Sequence, residues 1–298
     1  MQNELLIAII GGLGAMVGWG LADFFAKITI DEIGDIPSLA WGHITGTTAL
    51  LLMAFYSYAI KGNELHIPSN PKVWILLILF GIIQATIYLF VYKGFAQGPV
   101  GVLSPIFASF SGITALLSII IFREQISANL IIGLAVLFFG ILLINVDISS
   151  IIKKRLSFIQ IPGLKEIGLA TVLAAIWTLF WDRFLGGQNW LLYTFLMYAF
   201  MTITILIVAK IRNINLGNVK PAMWKFLILI GICETAAYLF LSWGYSVTSF
   251  TSVVAITSGA FALPTIILAK IFLKEKITSV QTLGSIIIII GIIIIAAL

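Results

Sequence analysis

Glu234 and Tyr238 lie four residues apart in the run 226–245, where Glu234 is the sole charged residue. Gln84 and Tyr88 repeat that spacing in the uncharged run 73–92. On a helix, positions i and i+4 share a face, so each pair presents its polar groups together. One carboxyl group, one amide and two phenols then suffice for a small solute site. Glu234 accepts a proton or holds an ammonium or other cation, and Gln84, Tyr88 and Tyr238 supply hydrogen bonds and ring faces. The plainer alternative is a protonated Glu234 that ties two helices together.

Other residues able to do chemistry are fewer. Asp23 and Lys27 are spaced for a local ion pair, and Trp19, one turn before Asp23, is placed to floor a cavity. Trp177 and Trp181, beside Asp182 and Arg183, occupy the corresponding stretch of the second half. All three tryptophans read equally well as interfacial anchors. His43 reads as a packing residue ahead of a proton relay. Pro105 and Pro264 interrupt apolar runs beside hydroxyl residues, Ser104, Ser109 and Ser111 in one, Thr257, Ser258 and Thr265 in the other. A proline within a helix frees a carbonyl and bends the axis, which suits a hinge, a cavity wall or kinked packing. Gly11, Gly12, Gly14, Gly18 and Gly20 suit close helix packing. They form no nucleotide loop, since no strand precedes them and no Lys-Ser/Thr follows. With a lone cysteine, Cys233, and no His, Asp and Glu cluster at ligand spacing, no metal, cofactor or enzyme chemistry is expected.

The elements that position these residues follow from composition. Of 298 residues 61% are hydrophobic and 10% charged, against about 45–50% apolar in a soluble domain. The net charge of +5 is scattered rather than gathered into a stripe, so nucleic acid is not an expected partner. The opening Met1-Gln2-Asn3-Glu4 carries no Lys or Arg, and the run after it reads as a first span rather than a signal peptide. Ten apolar segments result, at roughly 5–27, 37–60, 72–94, 99–122, 128–146, 165–184, 190–210, 222–245, 249–273 and 279–297, each near the ~20 residues that cross a bilayer as a helix. Tight turns at Gln97-Gly98-Pro99 and Val247-Thr248-Ser249 join neighbours into hairpins.

The two halves repeat. Between 74 and 94, 10 of 21 positions match those 150 residues later, Trp74, Gly81, Tyr88 and Gly94 falling on Trp224, Gly231, Tyr238 and Gly244. A shift of 151 brings Glu124, Ile126, Gly133 and Gly140 onto Glu275, Ile277, Gly284 and Gly291. The expected division is a five-helix repeat over 1–150, a polar linker over 151–164 and a second five-helix repeat over 165–298. An odd number of spans per copy makes the copies inverted, a recurring design of secondary transporters that rock around a midplane site.

On these features the chain resembles the drug/metabolite transporter superfamily in its EamA-type ten-helix branch. The resemblance is carried by Trp19-Gly20 with Lys27, by the turns Arg123-Glu124-Gln125-Ile126 and Lys274-Glu275-Lys276-Ile277, and by the glycine spacing after each turn. It implies a basket of helices around a central cavity, lined by the first, third and fourth helices of each half. It also implies transport of small metabolites, among them amino acids and amphipathic cations. Asp23 and Asp182 depart from the small or uncharged residues expected there.

The expected protein is therefore an all-α, multi-pass secondary transporter, monomeric or homodimeric, in contact with membrane lipid. It moves an amino acid, amine or drug-like solute by alternating access, with proton exchange at Glu234. A flippase for an amphipathic or lipid-linked molecule is the alternative. Isoleucine- and lysine-rich usage points to a prokaryotic cytoplasmic membrane. Orientation stays open, because 13 Lys and Arg fall on the side reached after odd-numbered spans against 4 on the other. By the positive-inside rule that puts both termini outside, whereas the resemblance implies both inside.

Overall fold

A computed structural model of the protein describes residues 2–97, 106–124, 126–145, 162–217, 219–272 and 278–297, and among these every regular element is helical. They are α1 (Gln2–Ile33), α2 (Asp35–Phe55) continued by a π-helical turn (Tyr56–Ile60), α3 (Pro71–Gln97), α4 (Phe110–Ile121) and α5 (Ala128–Asn145). The second half supplies α6 (Leu164–Leu185), α7 (Trp190–Ile211), α8 (Trp224–Val247) behind a 3-10 turn (Pro221–Met223), α9 (Thr251–Gly259), α10 (Ala262–Phe272) and α11 (Ser279–Ala296). Among the described residues, eight helical segments are long and apolar enough to cross a membrane, and Ile106–Ile121 and Ala128–Leu143 are shorter apolar helices. Lipid offers backbone groups no partner, so helices that satisfy their own are what such sequences form.

Two elements differ from expectation. α1 does not end near residue 27 but runs to Ile33, where Gly34 turns the chain with φ +90. Asp23 is thus inside a helix rather than at its end. The ninth apolar segment is not one bent helix, because a turn at Ala260–Phe261 separates α9 from α10. Pro264 then sits in the first turn of α10, where its missing N–H costs little and its ring meets no continuous helix. A turn at Ser109 breaks the fourth segment in the same way, 151 positions earlier. Ser104, Pro105, the Gly98-Pro99 turn and most of the 151–164 linker lie outside the described residues.

Small residues set the packing. Gly11 meets Phe240 and Gly244, and Gly18 meets Cys233 and Ala237, so α1 runs antiparallel to α8. A Cβ on Gly18 would stand 2.6 Å from the Cys233 carbonyl oxygen, which is the closeness the glycine permits. α3 and α6 are likewise antiparallel, with Gly94 on Ile167 and Phe80 on Trp177. α1 runs parallel to α9 and α10, through Gly12 on Val254 and Thr257 and Gly20 on Phe261 and Pro264. α4 runs parallel to α6, whose Thr171 donates to the Ile106 carbonyl while Thr114 donates to that of Ala175. α5 and α11 pack antiparallel through Gly133, Gly140 and Gly291. The chief interfaces therefore pair off when the halves are exchanged: α1 on α8 with α6 on α3, and α1 on α9 with α6 on α4.

Candidate functional site

The i, i+4 pairs on α3 and α8 meet. Gln84 Nε2 donates to the Tyr238 hydroxyl at 2.6 Å, and the Tyr238 and Tyr88 hydroxyls stand 3.4 Å apart. Glu234, one turn before Tyr238, is 3% exposed. The carboxyl, the amide and the two phenols thus converge as their spacing predicts.

Glu234 also has two partners that sequence reasoning assigned elsewhere or passed over. Tyr198 of α7 donates its hydroxyl to Glu234 Oε2 at 3.0 Å. His43 of α2 places Nε2 3.4 Å from Glu234 Oε1, and its ring stacks on Tyr198 with centroids 5.0 Å apart. The histidine is 1% exposed. Its other nitrogen, Nδ1, lies 2.9 Å from the Leu39 carbonyl oxygen, which can only accept, so Nδ1 carries a hydrogen. Nε2 of a neutral ring would then turn a lone pair toward a carboxylate oxygen. Both facing atoms, His43 Nε2 and Glu234 Oε1, are buried and without a hydrogen-bond partner among the described residues. A titratable ring in an apolar run was the sole signal for His43, and Tyr198 carried none.

Aromatic rings wall this cluster. Trp19 meets Tyr238 edge-on at 5.6 Å, Trp177 meets it at 6.3 Å, and Trp177 stacks on Trp181 at 5.3 Å. Trp177 Nε1 donates to the Phe80 carbonyl and Trp181 Nε1 to the Ser242 hydroxyl. Both tryptophans are buried, so neither is an interfacial anchor. Trp19 Nε1 and Gln84 Oε1 are buried without hydrogen-bond partners among the described residues. Asp23 differs from its neighbours in having an exposed side chain, yet it lies within electrostatic reach of Glu234. The Lys27 side chain, its expected partner, is outside the described residues. α2 and α7 thus reach the centre as well as the helices that the resemblance nominated.

Of the residues proposed as hinge or wall, Thr257 and Ser258 are buried and Pro264 is half-buried. Thr257 packs on Gly12, Ser258 donates to the Ala255 carbonyl, and Pro264 lies against Gly20. The start of α9 is held from the other half. Glu124 accepts from the Ser252 amide at 3.2 Å and from its hydroxyl at 2.6 Å, which places a carboxylate at the positive end of α9. Burial pushes the Glu124 carboxyl above its ordinary range, while hydrogen bonds from Ser118 and Ser252 pull it back. The glutamate in the turn after the fourth segment is therefore a cap supplied across the two halves. Asp182, expected near a span end, is buried and accepts the Thr251 hydroxyl at 2.8 Å.

Comparison with known proteins follows from this arrangement. A solved structure described only as "Crystal structure of protein" superposes with a TM-score of 0.68 at 15% identity, covering 94% of this chain and 96% of that one. That likeness is one of fold. No curated protein matches the sequence. The sequence model of the EamA-like transporter family matches twice, over residues 6–146 and 163–297. With its apolar helices and a match over most of its length, the chain is an integral, multi-pass membrane protein that belongs to the EamA-like transporter family, a family of small-solute transporters.

Proposed function

We propose that the protein is a secondary transporter that moves a small organic solute, an amine, amino acid or drug-like molecule, by alternating access in exchange for protons at Glu234. The His43–Glu234 pair carries this reading. A charge at a helix centre costs roughly 2.5–3.5 kcal/mol, and a pair holding one proton between them is neutral overall. A cationic solute that engages the carboxylate displaces that proton, and its departure lets the proton return. Trp19, Trp177, Tyr88, Tyr198 and Tyr238 supply the ring faces that an organic cation prefers. Asp23 adds a second carboxylate at the exposed margin of the cluster.

The architecture proposed for this cycle is ten spans in two inverted repeats. It draws support from the opposed directions of α1 and α6, which follow from α1 running with α9, α9 against α4 and α4 with α6. It draws further support from the exchange symmetry of the interfaces. The segments broken at Ser109 and at Ala260–Phe261 are the proposed hinges.

The test is a thermal-shift screen of purified protein against amino acids, amines, nucleosides and sugar phosphates, beside Glu234→Gln. A ligand at 100 times its dissociation constant adds about 2.7 kcal/mol to apparent stability. We expect amines or amino acids to stabilise the wild type and not the variant. The stabilising solute, taken into proteoliposomes, is expected to show pH-dependent flux that Glu234→Gln makes pH-independent and slow. Wild-type flux with an unchanged pH profile in Glu234→Gln overturns the proton role.

A further inference from the structure

A polar cavity of about 400 Å³ opens where α6 and α8 end and α9 begins, lined among others by Glu4, Asp182, Arg183, Tyr245 and Thr251. Asp182 is 5% exposed, and its Oδ2 takes the Thr251 hydroxyl. Among the described residues, no hydrogen bond reaches Oδ1. Tyr245 is 2% exposed and lines the cavity, and among the described residues its hydroxyl has no hydrogen-bond partner.

Acidic side chains outnumber basic ones in the cavity lining. The C-termini of α6 and α8 bring their carbonyl ends to it, each equivalent to a partial negative charge. The positive ends of α1 and α9 also lie nearby, with Glu4 in the first turn of α1 and Glu124 on the start of α9. Glu4 and Asp182 line the wall, and Glu124 lies within electrostatic reach of Asp182. Against these stands Arg183, whose guanidinium lies over the Phe122 ring at 3.6 Å and whose Nε is 4.0 Å from Asp182 Oδ2.

We propose that this cavity is a second, outer binding site for the ammonium group of a small solute. Asp182 Oδ1 and the Tyr245 hydroxyl oxygen accept two of its N–H bonds, and the two helix C-termini stabilise its charge. Ammonium suits the site better than guanidinium, since three diverging donors match acceptors on separate helices. The proposal concerns residues apart from Glu234 and does not require the proton role assigned there.

The experiment uses the full chain in nanodiscs with Cys233→Ala and Ser249→Cys, the latter an exposed position on the cavity wall. Labelling rates are measured with a cationic trimethylammonium and an anionic sulfonate methanethiosulfonate, without and with n-propylammonium, and with propionate as the charge control. The cationic reagent is expected to be favoured over the anionic one by about tenfold relative to the Asp182→Asn variant. Propylammonium is expected to slow labelling several-fold, and propionate is not. This protection is expected to be lost in Asp182→Asn and weakened in Tyr245→Phe, which removes only the hydroxyl and stands alone as the decisive variant if Asp182→Asn fails to fold. Absence of protection, equal protection by propionate, or protection intact in every folded variant overturns the site. The same measurement in Glu234→Gln separates the two proposals, because protection should persist there. Protection lost in Glu234→Gln and kept in Asp182→Asn would mean that the amine binds only at the centre, which ends the outer site and leaves the transport reading standing.

Discussion

A carboxyl group buried among rings is defined by what faces it. Glu234 is faced by His43 from α2, Tyr198 from α7 and Tyr238 on its own helix, with Asp23 of α1 and Tyr88 and Tyr92 of α3 within electrostatic reach. Of these, His43 is the one that sets a ring nitrogen against the carboxyl, at 3.4 Å. His43→Gln keeps a polar side chain of similar reach but cannot carry the proton. It is expected to flatten the pH dependence of flux as Glu234→Gln does, and the double variant to be no worse than either single one, since the two act as a unit. Flux from proteoliposomes at several pH values checks this, and a wild-type profile in His43→Gln would reduce the histidine to packing. Gln84, Tyr88, Glu234 and Tyr238 were legible beforehand because helical spacing and the 150-residue offset act along the chain. His43 and Tyr198 were not, because what makes them partners is the docking of α2 and α7 on α8.

Glycines mark several of the closest helix contacts. A Cβ added at Gly18 would stand 2.6 Å from a backbone oxygen and 2.8 Å from the Ala237 Cβ of α8, neither of which is a flexible side-chain end. Alanine gains about 1 kcal/mol over glycine in helix propensity, but overpacking a fixed contact costs about 1–3 kcal/mol. Gly18→Ala is therefore expected to lower the melting temperature. Gly168 of α6 has nothing within 4 Å of the same added atom, so Gly168→Ala is expected to raise it. Paired thermal melts in one detergent check the contrast, and like signs for both would break it. That glycines here would pack helices was legible from composition. Which helix each would meet was not, for Gly12 and Gly14, two residues apart, face Thr257 and Phe240 on different helices.

The proposed ten crossings would return the chain to the side from which it started. Reporter fusions at each terminus are accordingly expected to give the same side, and opposite sides would remove one span from the proposed ten. The apolar character of the segments, their repetition and their helical state were readable from the order of residues, because water, lipid and backbone hydrogen bonding act on each stretch independently of its neighbours. The longer reach of α1 and the break ahead of Pro264 were not readable in this way, since both depend on what the helix packs against. Nor was the transfer of Glu124 from its own turn to the start of α9, a contact spanning 128 positions. Nor was the meeting of His43 with Glu234, two residues that no local pattern links. Local physics determines what each segment is, whereas the interlocking of small residues between segments determines which side chains meet, and in this transporter the chemistry lies in those meetings.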